Sequence, residues 1–162
     1  MRLAGPDDAD AVWSLLRAVF RAGDTYAVDP KISRDAAVRY WMDQARATYV
    51  VETDGQIIGT YYIKTNQAGG GAHICNCGYI VSAAARGQGI AAQMCEHSQD
   101  AARALGYRAM QFNLVLASNG GAARLWTRLG FETVGTIPDA FEHPTDGYVD
   151  AYVMYKLLGE GR

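Results

Sequence analysis

A chain of 162 residues, 49% hydrophobic and 20% charged, has the composition of one soluble domain, long enough to bury about two-thirds of its unfolded surface. A formal charge of −2 with no lysine or arginine run argues against a nucleic-acid partner. No stretch approaches ~18 apolar residues, and the opening MRLAGPDDADAV lacks an apolar leader core, so neither a membrane span nor export is expected.

Taken in chain order, MRLA reads as a short first strand. Pro6, Asp7 and Asp8 then open a helix running to about Phe20, with Val12, Leu15, Leu16 and Val19 as its apolar stripe. AGDTYAVDPK is a loop, and Ser33 caps a second helix reaching about Met42. TYVVETDGQIIGTYYIK has the pattern of a hairpin folded about Asp54-Gly55, a favoured turn pair. TNQAGGGA is a flexible connection, and HICNCGYIV is the next strand. An Arg-Gly-Gln-Gly turn follows, leading into an alanine-rich helix that Gly106 ends. AMQFNLVL is a strand, NGGAARLWTRL a helix capped by Asn119 and stopped at Gly130, and FETVGTI and YVDAYVMYKLL are the last strands. There is no repeat or low-complexity segment, so residues 1–162 read as one domain: a mixed α/β sheet with helices on its faces, parallel around the central strand–turn–helix–strand unit.

Glycines placed where a helix begins leave its unpaired N–H groups and positive dipole end open to an anion. Three phosphate-binding patterns compete for this turn. No Gly-Lys-Ser/Thr follows, which removes the nucleoside-triphosphate loop. GQGIAA fits G-x-G-x-x-A, but AMQFNLVLASN supplies no acidic residue for a ribose, which weighs against a dinucleotide. The third is Arg/Gln-x-x-Gly-x-Gly/Ala, met by Arg86-Gly87-Gln88-Gly89-Ile90-Ala91.

That motif, followed in order by NGGAARLWTRLGF, resembles the GCN5-related N-acetyltransferase (GNAT) superfamily, and the element order agrees over nearly the whole chain. The resemblance implies a mostly antiparallel sheet of about seven strands with one splayed parallel pair and about four flanking helices. It implies acetyl-CoA as cosubstrate, with the backbone N–H groups of Arg86, Gly87, Gln88, Gly89, Ile90 and Ala91 around the pyrophosphate. By the same resemblance the Val81 N–H would hold the thioester carbonyl and the later oxyanion, and Asn119 would touch the pantetheine arm as well as cap its helix. The implied reaction is direct attack of a primary amine, on a small molecule or a protein, upon the thioester. A catalytically weak acyl-CoA-sensing module of the same fold is the alternative.

Two positions depart from the family pattern. Many members carry Leu-Tyr where this chain has Leu125-Trp126; an indole N–H donates but gives up no proton near neutral pH, so Trp126 is expected to pack on the cofactor or donate to it. Tyr79, Tyr148 and Tyr152 are substitute acids or merely strand aromatics. Relatives place a glutamate or histidine on the strand before the turn as base; here His73 falls where some carry the glutamate, either as a proton relay or as a structural histidine.

His73-x-Cys75-x-Cys77 invites a zinc reading, but ligands stepping along one strand face do not converge, and no metal is expected. Those cysteines and Cys95, odd in number and set in periodic segments, read as buried reduced thiols of a cytoplasmic protein. The resemblance builds the acceptor pocket from Asp24, Tyr26, Asp29, Phe141, Glu142, His143, Asp146, Tyr148 and Asp150, a lining suited to a cationic amine. The segment from Ile137 to Lys156 is similar to that of a bacterial-type subgroup, and a homodimer is one assembly consistent with the pattern.

Overall fold

The computed structural model describes residues 1–159. Its elements are β1 (Arg2–Leu3), α1 (Ala9–Ala22), α2 (Arg34–Val38), β2 (Ala47–Thr53), β3 (Gln56–Thr65), β4 (Ile74–Val81), α3 (Ile90–Ala104), β5 (Ala109–Leu116), α4 (Gly120–Arg128), β6 (Glu132–His143) and β7 (Gly147–Leu157). The seven strands form one sheet in the order β1-β2-β3-β4-β5-β7-β6. Every neighbouring pair is antiparallel except β4 and β5. Among the described residues no helix is long and apolar enough to cross a membrane.

Local chemistry accounts for most element ends. A 3-10 turn at Pro6–Asp8 leads into α1, whose buried Val12, Leu16 and Phe20 recur at four-residue spacing; Gly23, at φ 67°, ends it. Ser33 caps α2 by accepting from the Ala36 N–H at 3.3 Å. The chain then runs on through a π turn at Arg39–Asp43, which seats the fully buried Trp41 with its indole N–H donated to Thr60 Oγ1 at 3.1 Å. Asp54 and Gly55 both take positive φ, 50° and 75°, as the tight hairpin between β2 and β3 requires.

Each face of the sheet carries its own core. On one face, α1 and the α2 segment pack Val12, Leu16, Phe20 and Trp41 on Val50, Tyr62 and Ile80. On the other, α3 and α4 pack Met94, Cys95 and Trp126 on Tyr61, Ile63, Cys77 and Phe112. Alternation along β4 divides its residues between the two faces, which is why Cys77 and Ile80 lie in different cores.

Two expectations need correction. β6 continues well past Ile137 to His143, through an irregularity between Ile137 and Phe141 where Asp139 has φ 48° and donates its N–H to the Asp150 carboxylate at 3.0 Å. Proline and aspartate in mid-strand disguise that continuation. His73 also stands in a turn just before β4, not on the strand itself.

Candidate active site

β4 and β5 pair at two positions only, Ile74 with Ala109 and Cys75 with Met110, although both strands run on beyond them. Where they part, a side chain replaces the ladder: Asn76 Nδ2 donates to the Gln111 carbonyl at 2.8 Å. Further along, β4 still pairs with β3, and the Ser82 N–H donates to the Ile58 carbonyl at 2.8 Å. Backbone groups alternate sides along a strand, so Tyr79 and Val81, out of phase with Ser82, turn theirs into the gap. The Tyr79 carbonyl is met there by the Tyr26 hydroxyl at 2.9 Å. Burial pushes the Tyr26 phenol far above its ordinary range, so this hydroxyl is a donor and not a base.

The turn after β4 has the geometry its glycines require. Gly87 and Gly89 adopt φ 77° and 78°, and a Cβ built on either would meet no atom within 4 Å, so both look onto open space. Gly89 is the N-cap of α3 and offers no side chain to its first N–H groups. The Gln88 amide turns away to donate to the Ala84 carbonyl at 3.2 Å, while the Ile90 side chain packs against the core. Ala91 adds a second small residue to that first turn.

The gap opens into two connected hollows that share Thr25, Tyr26, Tyr79 and Asn119. The inner slot, about 280 Å³, is walled by Asn76–Tyr79 of β4, Phe112–Leu116 of β5, Tyr40, Tyr62 and Trp126. The mouth, about 580 Å³, is lined by Asp24, Val81, Arg86, Ser118 and His143 among others. His143 sits at the end of β6, its Nδ1 accepting from the N–H groups of Thr145 and Asp146 at 3.4 and 3.3 Å.

The structure therefore brings Val81, Arg86 and Asn119 together at the mouth and Asn119 and Trp126 along the slot, with Gly87, Gln88, Gly89, Ile90 and Ala91 following Arg86 in the turn but lining neither hollow. Asn119 Oδ1 accepts from the Ala122 N–H at 3.2 Å, which is the helix-cap role, while the residue also lines both hollows. Trp126 packs its ring 5.1 Å from Tyr79 and 5.2 Å from Phe112. His73 is not brought to this site. It is exposed at the opposite end of β4, with Nδ1 near the Gly70 carbonyl at 3.1 Å, and about 25 Å of strand rise separates it from Val81. The substitute acids are also committed elsewhere: the Tyr79 hydroxyl bonds Ser98 Oγ at 2.7 Å, Tyr148 is 66% exposed, and Tyr152 packs against the core.

Of the expected acceptor lining, Tyr26, Asp24 and His143 reach the hollows. Asp29 accepts from the Lys31 N–H at 2.8 Å and so serves its own loop, while Asp150 of β7 accepts from the Asp139 N–H and holds the irregular stretch of β6. Asn76, Tyr40, Tyr62 and Phe112 were not foreseen as lining. Nothing local marks them, since they become neighbours only where two strands stop pairing.

The comparisons with known proteins agree with this geometry. The sequence profile described as "Acetyltransferase (GNAT) family" matches residues 10–131. The chain is 33% identical to the N-acetyltransferase aca1 of Schizosaccharomyces pombe over 148 residues, 81% of this chain and 71% of that one. A GCN5-related N-acetyltransferase from Kribbella flavida superposes with a TM-score of 0.90 at 40% identity, covering 96% of this chain and 95% of the other. A phosphinothricin acetyltransferase from Sinorhizobium meliloti, solved with acetyl-CoA, has the same fold: TM-score 0.86, 22% identity, 99% and 88% coverage. The chain belongs to the GNAT acetyltransferase family, and it is an acetyltransferase.

Proposed function

We propose that the chain transfers an acetyl group from acetyl-CoA to an amine by direct attack on the thioester. The reading rests on one conjunction: the residue that leads into an uncapped glycine turn at a helix start, Arg86, lines the same mouth as Val81, on the strand that stops pairing with β5. The N–H groups from Arg86 to Ala91 and the dipole of α3 suit a pyrophosphate. The gap between β4 and β5 suits an extended arm lying beside a strand edge, with Asn119 and Trp126 along it. The acetyl-CoA bound in the fold relative from Sinorhizobium meliloti supports the same cosubstrate here.

The thioester carbonyl is held on the open N–H of Val81, with that of Tyr79 one step further in. As the amine nitrogen attacks the carbonyl carbon, the new C–N bond forms and negative charge grows on that oxygen. Fixed donors of this kind contribute about 2.7–4 kcal/mol each at the transition state. The C–S bond then breaks, CoA leaves as a thiolate and takes up a proton. The amine gives up its proton to water at the polar mouth, where His143 is the imidazole in the lining. Trp126 packs; it does not protonate the thiolate. Buried free thiols at Cys75, Cys77 and Cys95 suit a reducing cytoplasm.

Calorimetric titration with acetyl-CoA should show one site per chain, and free CoA should appear only when an acceptor amine is added. Absence of binding would overturn the cosubstrate. Binding with no CoA release for any amine would overturn acetyl transfer.

A further inference from the structure

The slot itself carries information about the acceptor. None of its lining residues is an acid, so nothing there holds an ammonium by charge. Of the acids of the expected lining, Asp24 stays at the mouth, Asp29 accepts from its own loop, Asp150 accepts from the β6 backbone, and Glu142 and Asp146 line neither hollow. At the inner end the charge has the opposite sign. Lys64 of β3 is half-buried beside the slot, with Nζ 3.6 Å from the ring centre of Tyr40 and 4.4 Å from that of Tyr62, two rings that line it. Among the described residues Lys64 has no carboxylate partner in an ion pair. Burial lowers its pKa to about 8, which still leaves it mostly charged at neutral pH.

The surroundings of Lys64 are held in place. Tyr62 lies across Gly78, where an added Cβ would come within 2.7 Å of its ring, and its hydroxyl donates to Asn76 Oδ1 at 3.2 Å. Asn76 in turn is anchored on the Gln111 carbonyl. The result is a cation presented between two aromatic faces at the point where the strands part. An aromatic-faced lysine short of a counter-ion is a receptor for an anion, because a bound carboxylate supplies the opposite charge that burial has denied it.

Resting on the acetyl-transfer reading above, we propose that the acceptor is a small amine that also carries a carboxylate, which Lys64 holds while the amine faces the thioester. Asn76 lies across the sheet from Lys64, and Val81, whose N–H is assigned to the thioester carbonyl, is five residues further along β4, roughly 16 Å away, with Tyr79 between them. That span favours an acceptor with several bonds between its amine and its carboxylate. It disfavours polyamines and lysine side chains in basic peptides, whose extra positive charge would be brought against Lys64.

The test is CoA release with a graded series: L-leucine, β-alanine, γ-aminobutyrate and 5-aminovalerate, each beside its own carboxamide, together with spermidine and a lysine-containing peptide. At least one acid should exceed its amide by tenfold or more in kcat/KM. Lys64→Met should erase that preference, chiefly by raising KM for the acid towards that for the amide. Lys64→Arg, which keeps the charge, should retain the preference and guards against a fold defect in the methionine variant. Acetyl-CoA affinity, measured by calorimetry, should be the same in all three proteins. Amides or spermidine serving as well as the acids, or an acid preference that survives in Lys64→Met, would overturn the carboxylate proposal and leave acetyl transfer standing. Failure of wild type to bind acetyl-CoA would instead overturn the reading on which it rests, and the proposal with it.

Discussion

Gly89→Ala separates backbone strain from anion binding, because a matched control exists in the same chain. Gly89 and Gly55 have nearly equal positive φ, 78° and 75°, and a Cβ at either would meet nothing within 4 Å. Alanine in that region costs roughly 1–2 kcal/mol. For a chain of this size each kcal/mol lowers Tm by about 2–4 °C, so both variants should melt roughly 2–8 °C below wild type. Only Gly89 caps the helix at the proposed pyrophosphate site. There the new methyl group fills the open space through which a phosphate must approach. Losing one or two charge-assisted hydrogen bonds, about 1.5–3 kcal/mol each, weakens acetyl-CoA binding by about tenfold to about ten-thousandfold. Calorimetric titration of both variants reads this directly: Gly55→Ala should bind as wild type does, and Gly89→Ala should not. If Gly89→Ala kept its affinity within twofold while showing the same loss of Tm as Gly55→Ala, the anion would have to bind elsewhere.

Tyr26→Phe removes the hydroxyl that meets the Tyr79 carbonyl and should cost about 1–3 kcal/mol in urea unfolding; an unchanged midpoint would mean water replaces it without loss. Trp126→Phe should keep kcat within tenfold, whereas a fall beyond about a hundredfold, the scale of acid–base groups, would contradict a packing role. His73→Gln should leave the pH profile of kcat/KM unchanged, and loss of a limb in that profile would show that the exposed end of β4 reaches the chemistry. Lys64 has a folded pKa of about 8 against an ordinary 10.5, so the unfolded chain binds more protons between those values and stability should rise with pH across them. The burial penalty is full below about pH 8 and fades above it, so the stability gap between Lys64→Met and wild type should change from pH 7 to pH 10. A constant gap would refute burial as the cause.

What could be read in the sequence was local. The Arg86–Ala91 turn, the Asn119 cap and the Asp54-Gly55 hairpin are each determined by residues a few positions apart, and each has the expected form. His73 lies away from the hollows for a reason of scale. Counting back along an extended strand moves a residue about 3.3 Å per step, so a small offset in sequence became a displacement along the length of β4. The parting of β4 and β5 left no signal, since both segments have ordinary strand composition and differ only in what they do not pair with. Tyr26 was foreseen on the acceptor side, but its bond to a carbonyl 53 residues away was not. Lys64 carries no local signal either, since one of the two tyrosines that face it, Tyr40, comes from a distant element.

The parting also has a mechanical meaning. Among the described residues the seam joining β1–β4 to β5–β7 is short: two register pairs, the Arg108 N–H donated to the His73 carbonyl, the Asn76 side chain and two side-chain bonds at the end of β3, one between Thr65 and Tyr107 and one between Asn66 and Asn113. On the α1 face the packed core reaches Val50, Tyr62 and Ile80 but stops at β4, so the bridging apolar contacts come from the α3 and α4 face. The molecule is thus two plates on a narrow spine, braced from one side. A cosubstrate laid along the seam would act as a rivet, tying both plates through its own hydrogen bonds and stabilising the fold in proportion to its occupancy. Amide exchange in β5 and β7 should then slow on acetyl-CoA binding, because the ligand adds bonds across the seam where the sheet has fewest.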